Sequence, residues 1–201
     1  MIAVIDYGMG NLRSVHKALE VVGGNAKITS RLKDLKNAAK LVFPGVGAFG
    51  EAMKELKCLN LIQPIKDAIN EGKYFLGLCL GLQLLFERSD EAPGVKGLSV
   101  LKGEVKRFDF TIRSLKVPHM GWNNIAQNSK ILKDVPDGSY MYFVHSYYVV
   151  PKERNIILTT TKYGIEFISG IQKDNIYGLQ FHPEKSQDLG LKILRNFVRL
   201  K

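Results

Sequence analysis

Five residues, Gly77-Leu78-Cys79-Leu80-Gly81, hold a cysteine between two glycines. The strand-like run Lys73-Tyr74-Phe75-Leu76 leads into them, and the helix-like run Leu82-Gln83-Leu84-Leu85-Phe86-Glu87-Arg88 leads away. This is the sequence form of a nucleophile elbow: the chain turns so sharply that the central residue is strained, and glycines on either side remove side chains that would collide. At the start of a helix, free N–H groups favour the thiolate, the reactive form of cysteine. A core cysteine is the competing reading, because cysteine is among the most buried residue types. The two separate on whether the chain also supplies a base, an acid to orient it and donors for an oxyanion.

Of the four histidines, His182 stands where a base is needed, just past the apolar run Ile176-Tyr177-Gly178-Leu179-Gln180-Phe181. Glu184 follows two positions on, with Pro183 stiffening the link; in an extended segment His182 and Glu184 face the same way. Such a carboxylate fixes the imidazole tautomer and stabilises the imidazolium. His145, in Val144-His145-Ser146-Tyr147, is the rival base but has no acid near it in sequence. His16 falls within a helical pattern, and His119 has no assigned role.

Gly45-Val46-Gly47-Ala48-Phe49-Gly50 fits G-x-G-x-x-G, the dinucleotide fingerprint, but the next strand ends in Cys79 rather than in the acid that would hold a ribose. A glycine-rich turn can instead donate N–H groups to an oxyanion. Elbows take one such donor from the residue after the nucleophile, here Leu80, and another from a neighbouring strand's loop, here Val46 or Gly47.

The elements that must position these residues alternate along the first half of the chain. Strands are expected at Ile2 to Ile5, Ala26 to Thr29 and Leu41 to Phe43, the last ended by Pro44. Helices are expected from Leu12 to Val22, stopped by Gly23-Gly24, and over Arg31 to Ala39, Ala52 to Lys57 and Leu61 to Asn70. Ser89 to Gly97 is a polar loop. Later, short strands are expected at Leu98 to Leu101, Val105 to Phe110, Trp122 to Ala126, Met141 to Val144, Ile156 to Thr160, Glu166 to Gln172 and Ile176 to Phe181, before a helix over Leu189 to Leu200. The expected fold is three-layer α/β: a mostly parallel central sheet with helices on both faces, plus a smaller, partly antiparallel strand region. Residues 1–201 are read as one domain.

Composition narrows the function classes. No apolar run approaches the length of a membrane span, and Asp6 comes too early for a signal peptide. Two cysteines, Cys58 and Cys79, suggest neither a disulfide framework nor a cysteine zinc site, which fits a reducing cytoplasm. The net charge of +10 raises nucleic acid as a partner. The basic residues are dispersed, however, so a solvated lysine-rich surface is the commoner explanation, and a patch facing a phosphorylated substrate on a partner is the second.

Taken together, Pro44 to Gly47, Gly77 to Gln83 and Phe181 to Lys185 resemble the class I (triad) glutamine amidotransferases over essentially the whole chain. Asp6-Tyr7-Gly8-Met9-Gly10-Asn11, Pro118-His119-Met120-Gly121-Trp122-Asn123 and His182-Pro183-Glu184-Lys185-Ser186 are similar to the branch that serves imidazole glycerol phosphate synthesis. The resemblance implies a glutaminase with Cys79 as nucleophile, His182 as base and Glu184 as its orienting acid, using neither metal nor cofactor. It implies that Gln83 and the segment His145-Ser146-Tyr147 hold the glutamine. It further implies a (β/α)8-barrel cyclase as partner, with Tyr7, Asn11, Trp122, Asn123 and Lys185 as interface candidates. A glutaminase subunit of pyridoxal phosphate synthesis is the enzymatic alternative, and a basic nucleic-acid-binding module the remote one.

Overall fold

The computed structural model describes residues 1–109, 115–127 and 130–201. In chain order its main elements are β1 (Ile2–Ile5), α1 (Leu12–Val21), β2 (Ala26–Thr29), α2 (Leu32–Asn37), β3 (Lys40–Gly45), α3 (Phe49–Cys58), α4 (Ile62–Asn70), β4 (Tyr74–Cys79), α5 (Leu80–Gln83), β5 (Arg88–Ser89), β6 (Gly103–Arg107), β7 (His119–Asn124), β8 (Ala126–Gln127), β9 (Tyr140–His145), β10 (Tyr147–Pro151), β11 (Ile157–Tyr163), β12 (Ile165–Lys173), β13 (Ile176–Leu179) and α6 (Gln187–Arg199).

Among the described residues, the large sheet runs β2-β1-β3-β4-β13-β12-β10-β6-β5, with β11 and then β8 beside β12. Its first five strands pair in parallel, and pairing turns antiparallel at β12. β7 and β9 form a separate antiparallel pair. Successive strand side chains alternate between the faces. Ile5, Leu41, Phe43 and Phe75 join Leu35 of α2, Phe49 and Leu56 of α3 and Ile65 of α4. Val4, Val42, Leu76 and Leu78 join Val15 and Leu19 of α1 and Ile193 and Phe197 of α6. Each of these enclosed side chains stabilises the fold by about 1.5–3 kcal/mol. The sheet is thus held between two helical layers, as the alternation of elements predicts.

Three local expectations are corrected, and one strand is new. Pro44 does not end β3, which continues to Gly45. β1 pairs with β3 only as far as Val42, so Pro44 has a strand neighbour on the β4 side alone, an edge position of the kind at which sheets tolerate proline. The elbow helix is one turn long rather than reaching Arg88, because the chain then enters β5. Leu98 to Leu101 is no strand: its amides turn back onto the carbonyls of Leu84, Leu85 and Phe86 and close the end of that short helix. β10, which no expectation covered, pairs with β6 over its whole length. Of the expected strand Val105 to Phe110, Phe110 lies outside the described residues.

Candidate active site

The carboxyl ends of β3, β4 and β13 meet at one place, where loops of parallel sheets gather functional groups. Cys79 ends β4 with φ 52° and ψ −108°, a left-handed conformation that a side chain rarely adopts. The flanking glycines make the bend possible. A Cβ on Gly77 would stand 2.7 Å from the Gly81 carbonyl oxygen, and one on Gly81 would run into the Phe43 carbonyl. Gly45 is the register partner of Cys79, and a Cβ there would meet the Tyr7 hydroxyl at 2.7 Å, Leu80 Cβ at 2.8 Å and the Gly81 nitrogen at 2.9 Å. The turn Gly45-Val46-Gly47 therefore lies directly against the residue after the cysteine. Gly47 has a φ of +109°.

His182 and Glu184 lie just beyond β13. His182 Nδ1 donates to Glu184 Oε1 at 2.8 Å, and the two side chains are 3% and 2% exposed. The link between them is a 3-10 turn over Pro183–Lys185, not the extended segment that the spacing suggested. Ser186 Oγ donates to the His182 carbonyl at 2.6 Å and accepts the Tyr142 N–H, tying the turn to β9. His182 Nε2 is buried with no hydrogen-bond partner of its own among the described residues. Burial alone would lower the His182 pKa. Interaction with the Cys79 sulfur as thiolate and the bond to Glu184 outweigh it and carry the value up to about 10.

A cavity of about 380 Å³ opens over Cys79. Val46, Gly47, Leu80, Gln83, His145, Ser146 and Tyr147 line it, so every sequence-derived oxyanion and substrate residue is at the cavity. Gln83 and His145 act partly as framework: Gln83 Nε2 and His145 Nδ1 both donate to the Tyr147 carbonyl, at 3.0 and 2.8 Å. His145 Nε2 faces His119 Nδ1 at 3.0 Å, so both ring nitrogens of the rival base are engaged. Burial lowers the pKa of His145 to about 3 and that of His119 to about 4, which keeps both neutral. His119, unassigned from sequence, thus supports His145 and accepts from Asn123 Nδ2 at 3.2 Å.

Glu91 also lines the cavity and was not singled out in the sequence. Its carboxylate accepts the Phe49 N–H at 2.8 Å and so caps α3 from a distant loop. The only signal for it was an acid in the polar loop after the elbow.

The interface candidates divide. Trp122 is 46% exposed, and Asn11 and Lys185 are exposed as well. Tyr142 joins two of them: its ring stands edge-on to Trp122 and carries the Lys185 ammonium 5.6 Å from its centre. Asn123 is half-buried, held by His119 and the Lys162 carbonyl. Tyr7 is corrected. Its side chain is fully enclosed against Phe43 and beneath Gly45, and burial, then the charge of Cys79, raises its pKa. An enclosed ring offers a partner no contact.

The family model described as glutamine amidotransferase class-I matches residues 3–200. A relative from Aquifex aeolicus, described as imidazole glycerol phosphate synthase subunit HisH, is 53% identical over 199 residues, spanning 98% of this chain and 95% of its own. One of the same description from Caldanaerobacter subterraneus subsp. tengcongensis is 51% identical, over 98% and 97%. The fold is also that of a crystal structure of a glutamine amidotransferase, with a TM-score of 0.78 at 17% identity over the whole of both chains. PurLQS from Thermotoga maritima gives 0.74 at 18% identity, covering 98% and 96%. With its family model matched almost end to end, the chain belongs to the class I glutamine amidotransferases.

Proposed function

We propose that residues 1–201 form one glutaminase domain that hydrolyses glutamine through a Cys79 thioester and passes the ammonia to a cyclase subunit making imidazole glycerol phosphate in histidine biosynthesis. The observation that carries this reading is the buried His182–Glu184 pair set beside a strained cysteine over an amino-acid-sized cavity. Two relatives of about half identity, covered nearly end to end, are described as subunits of that synthase.

The Cys79 thiolate attacks the side-chain amide carbon, and the carbonyl oxygen becomes an oxyanion held by N–H groups of Leu80 and of Val46 or Gly47. Collapse breaks the C–N bond as His182 gives its proton to the leaving nitrogen, releasing ammonia. Water, deprotonated by His182, then attacks the thioester; the C–S bond breaks and glutamate leaves. Glu184 holds the imidazole through Nδ1, leaving Nε2 to move the proton. Gln83, Ser146 and Tyr147 hold the glutamine backbone, with His145 fixing the Tyr147 carbonyl, and the Glu91 carboxylate suits its ammonium.

Ammonia in neutral water is mostly ammonium, which is no nucleophile. A biosynthetic glutaminase must therefore deliver it to a docked acceptor, read as a (β/α)8-barrel cyclase forming a heterodimer in the cytoplasm. Trp122, Tyr142 and Lys185, with Asn123 adjacent to Trp122 in sequence and the exposed Asn11, are the docking surface. Among the described residues no helix is long and apolar enough to cross a membrane. The test is glutamine turnover by the purified complex: Cys79→Ala abolishes it while the melting temperature holds, and retained turnover refutes the assignment.

A further inference from the structure

Gln180 follows β13 and is wholly enclosed. β13 pairs with β4 up to Leu179 opposite Leu78, so Gln180 comes next to Cys79 one step on. Its Nε2 stands 3.5 Å from Cys79 Sγ, and its Oε1 accepts from Gln83 Nε2 at 3.1 Å. An amide can present either end to a sulfur, and only the nitrogen end favours a thiolate.

Here the orientation is set from outside. The Tyr147 carbonyl can only accept, so Gln83 must turn its NH2 group toward it. That same NH2 group faces Gln180, which must answer with its oxygen. The nitrogen of Gln180 is then left for the sulfur. The Val144 carbonyl also stands 3.8 Å from the sulfur, where it can accept from a thiol and repels a thiolate.

We infer that Gln180 is a further catalytic residue, whose side-chain amide donates to the Cys79 sulfur and, locked by Gln83 and the Tyr147 carbonyl, stabilises the thiolate. The inference rests on the reading of Cys79 as the nucleophile. It gives the nucleophile two partners from one segment: His182 moves the proton, and Gln180 holds the charge left behind.

The test is the pH dependence of alkylation by iodoacetamide, in which the thiolate displaces iodide. It is read by mass spectrometry on the Cys79 peptide of the full chain, with exposed Cys58 as internal reference. Gln180→Met keeps the bulk and removes the donor. The midpoint for Cys79 should move up by about one pH unit, since hydrogen bonds to charged groups are the strong ones. kcat should fall about tenfold with KM little changed, and Cys58 should not move. Gln83→Met frees the Gln180 amide to reverse and should shift the midpoint in the same direction by less. An unchanged midpoint in both, or in whichever of the two folds, overturns the inference. Alkylation needs no glutamine, so this result stands apart from the turnover of Cys79→Ala, which tests the nucleophile itself.

Discussion

Gly45 and Cys79 face each other as the last register pair of β3 and β4, and a side chain at Gly45 would run into Leu80 and Gly81, the two residues that complete the cysteine's bend. The pairing brings two functions together. One strand ends in the proposed nucleophile, and its neighbour ends in the glycine turn whose N–H groups are proposed to serve the oxyanion. A change at either strand's end should therefore damage chemistry before it damages the core.

Gly81→Ala puts a methyl group into the Phe43 carbonyl, and backbone cannot yield as a flexible side chain can. We expect a loss of about 1–3 kcal/mol in stability and a loss of turnover far larger than that instability explains. Denaturant unfolding and steady-state kinetics on the same preparation check both. Turnover near the unsubstituted level would contradict the close packing of the elbow.

His182 titrates higher in the folded chain, at about 10, than the ordinary value of 6.5. A raised histidine pKa contributes stability that is complete below the unfolded value and lost as pH climbs through the folded one. The contribution of His182 to the melting temperature, read against His182→Gln, should therefore be full below pH 6.5 and shrink steadily as pH rises from there through about 10. A constant difference would show that His182 is not charged beside Cys79 and Glu184.

Glu91 is expected to pair with the ammonium of glutamine. Glu91→Gln keeps a side-chain oxygen to accept the Phe49 N–H but removes the charge. KM should rise roughly ten- to hundredfold, the worth of a charged hydrogen bond of about 1.5–3 kcal/mol, with kcat less affected. An unchanged KM would remove Glu91 from the substrate site.

Lys40 concerns the frame. The residue is 8% exposed, and its ammonium donates to the carbonyls of Phe197, Val198 and Leu200 where α6 ends. Lys40→Met should cost about 1–3 kcal/mol by leaving buried acceptors unmet and should speed amide exchange in the last turn of α6. Unaltered exchange there would show that the helix end is held otherwise.

Much of this arrangement was legible in the residues themselves. Alternating periodicity placed β1 to β4 and α1 to α4, since a parallel sheet covered on both faces needs continuous apolar strands between amphipathic helices. Cys79, His182 and Glu184 stand out as candidates because strand ends and glycine spacing carry local signals. Pro44 and β10 could not, because a proline's tolerance and a strand's pairing depend on which neighbour is present. Tyr7 was misplaced for a related reason: its loop is polar, yet the ring folds inward under Gly45. Glu91, Tyr142 and His119 acquire their places only through contacts with segments far off in sequence.

The most direct measurement is mass spectrometry of the complex after treatment with 6-diazo-5-oxo-norleucine, a glutamine analogue that alkylates the nucleophile of glutaminases. A single adduct on Cys79 is expected, formed far more slowly in His182→Ala and blocked by excess glutamine. An adduct on another residue, or glutamine turnover surviving complete labelling of Cys79, would contradict it.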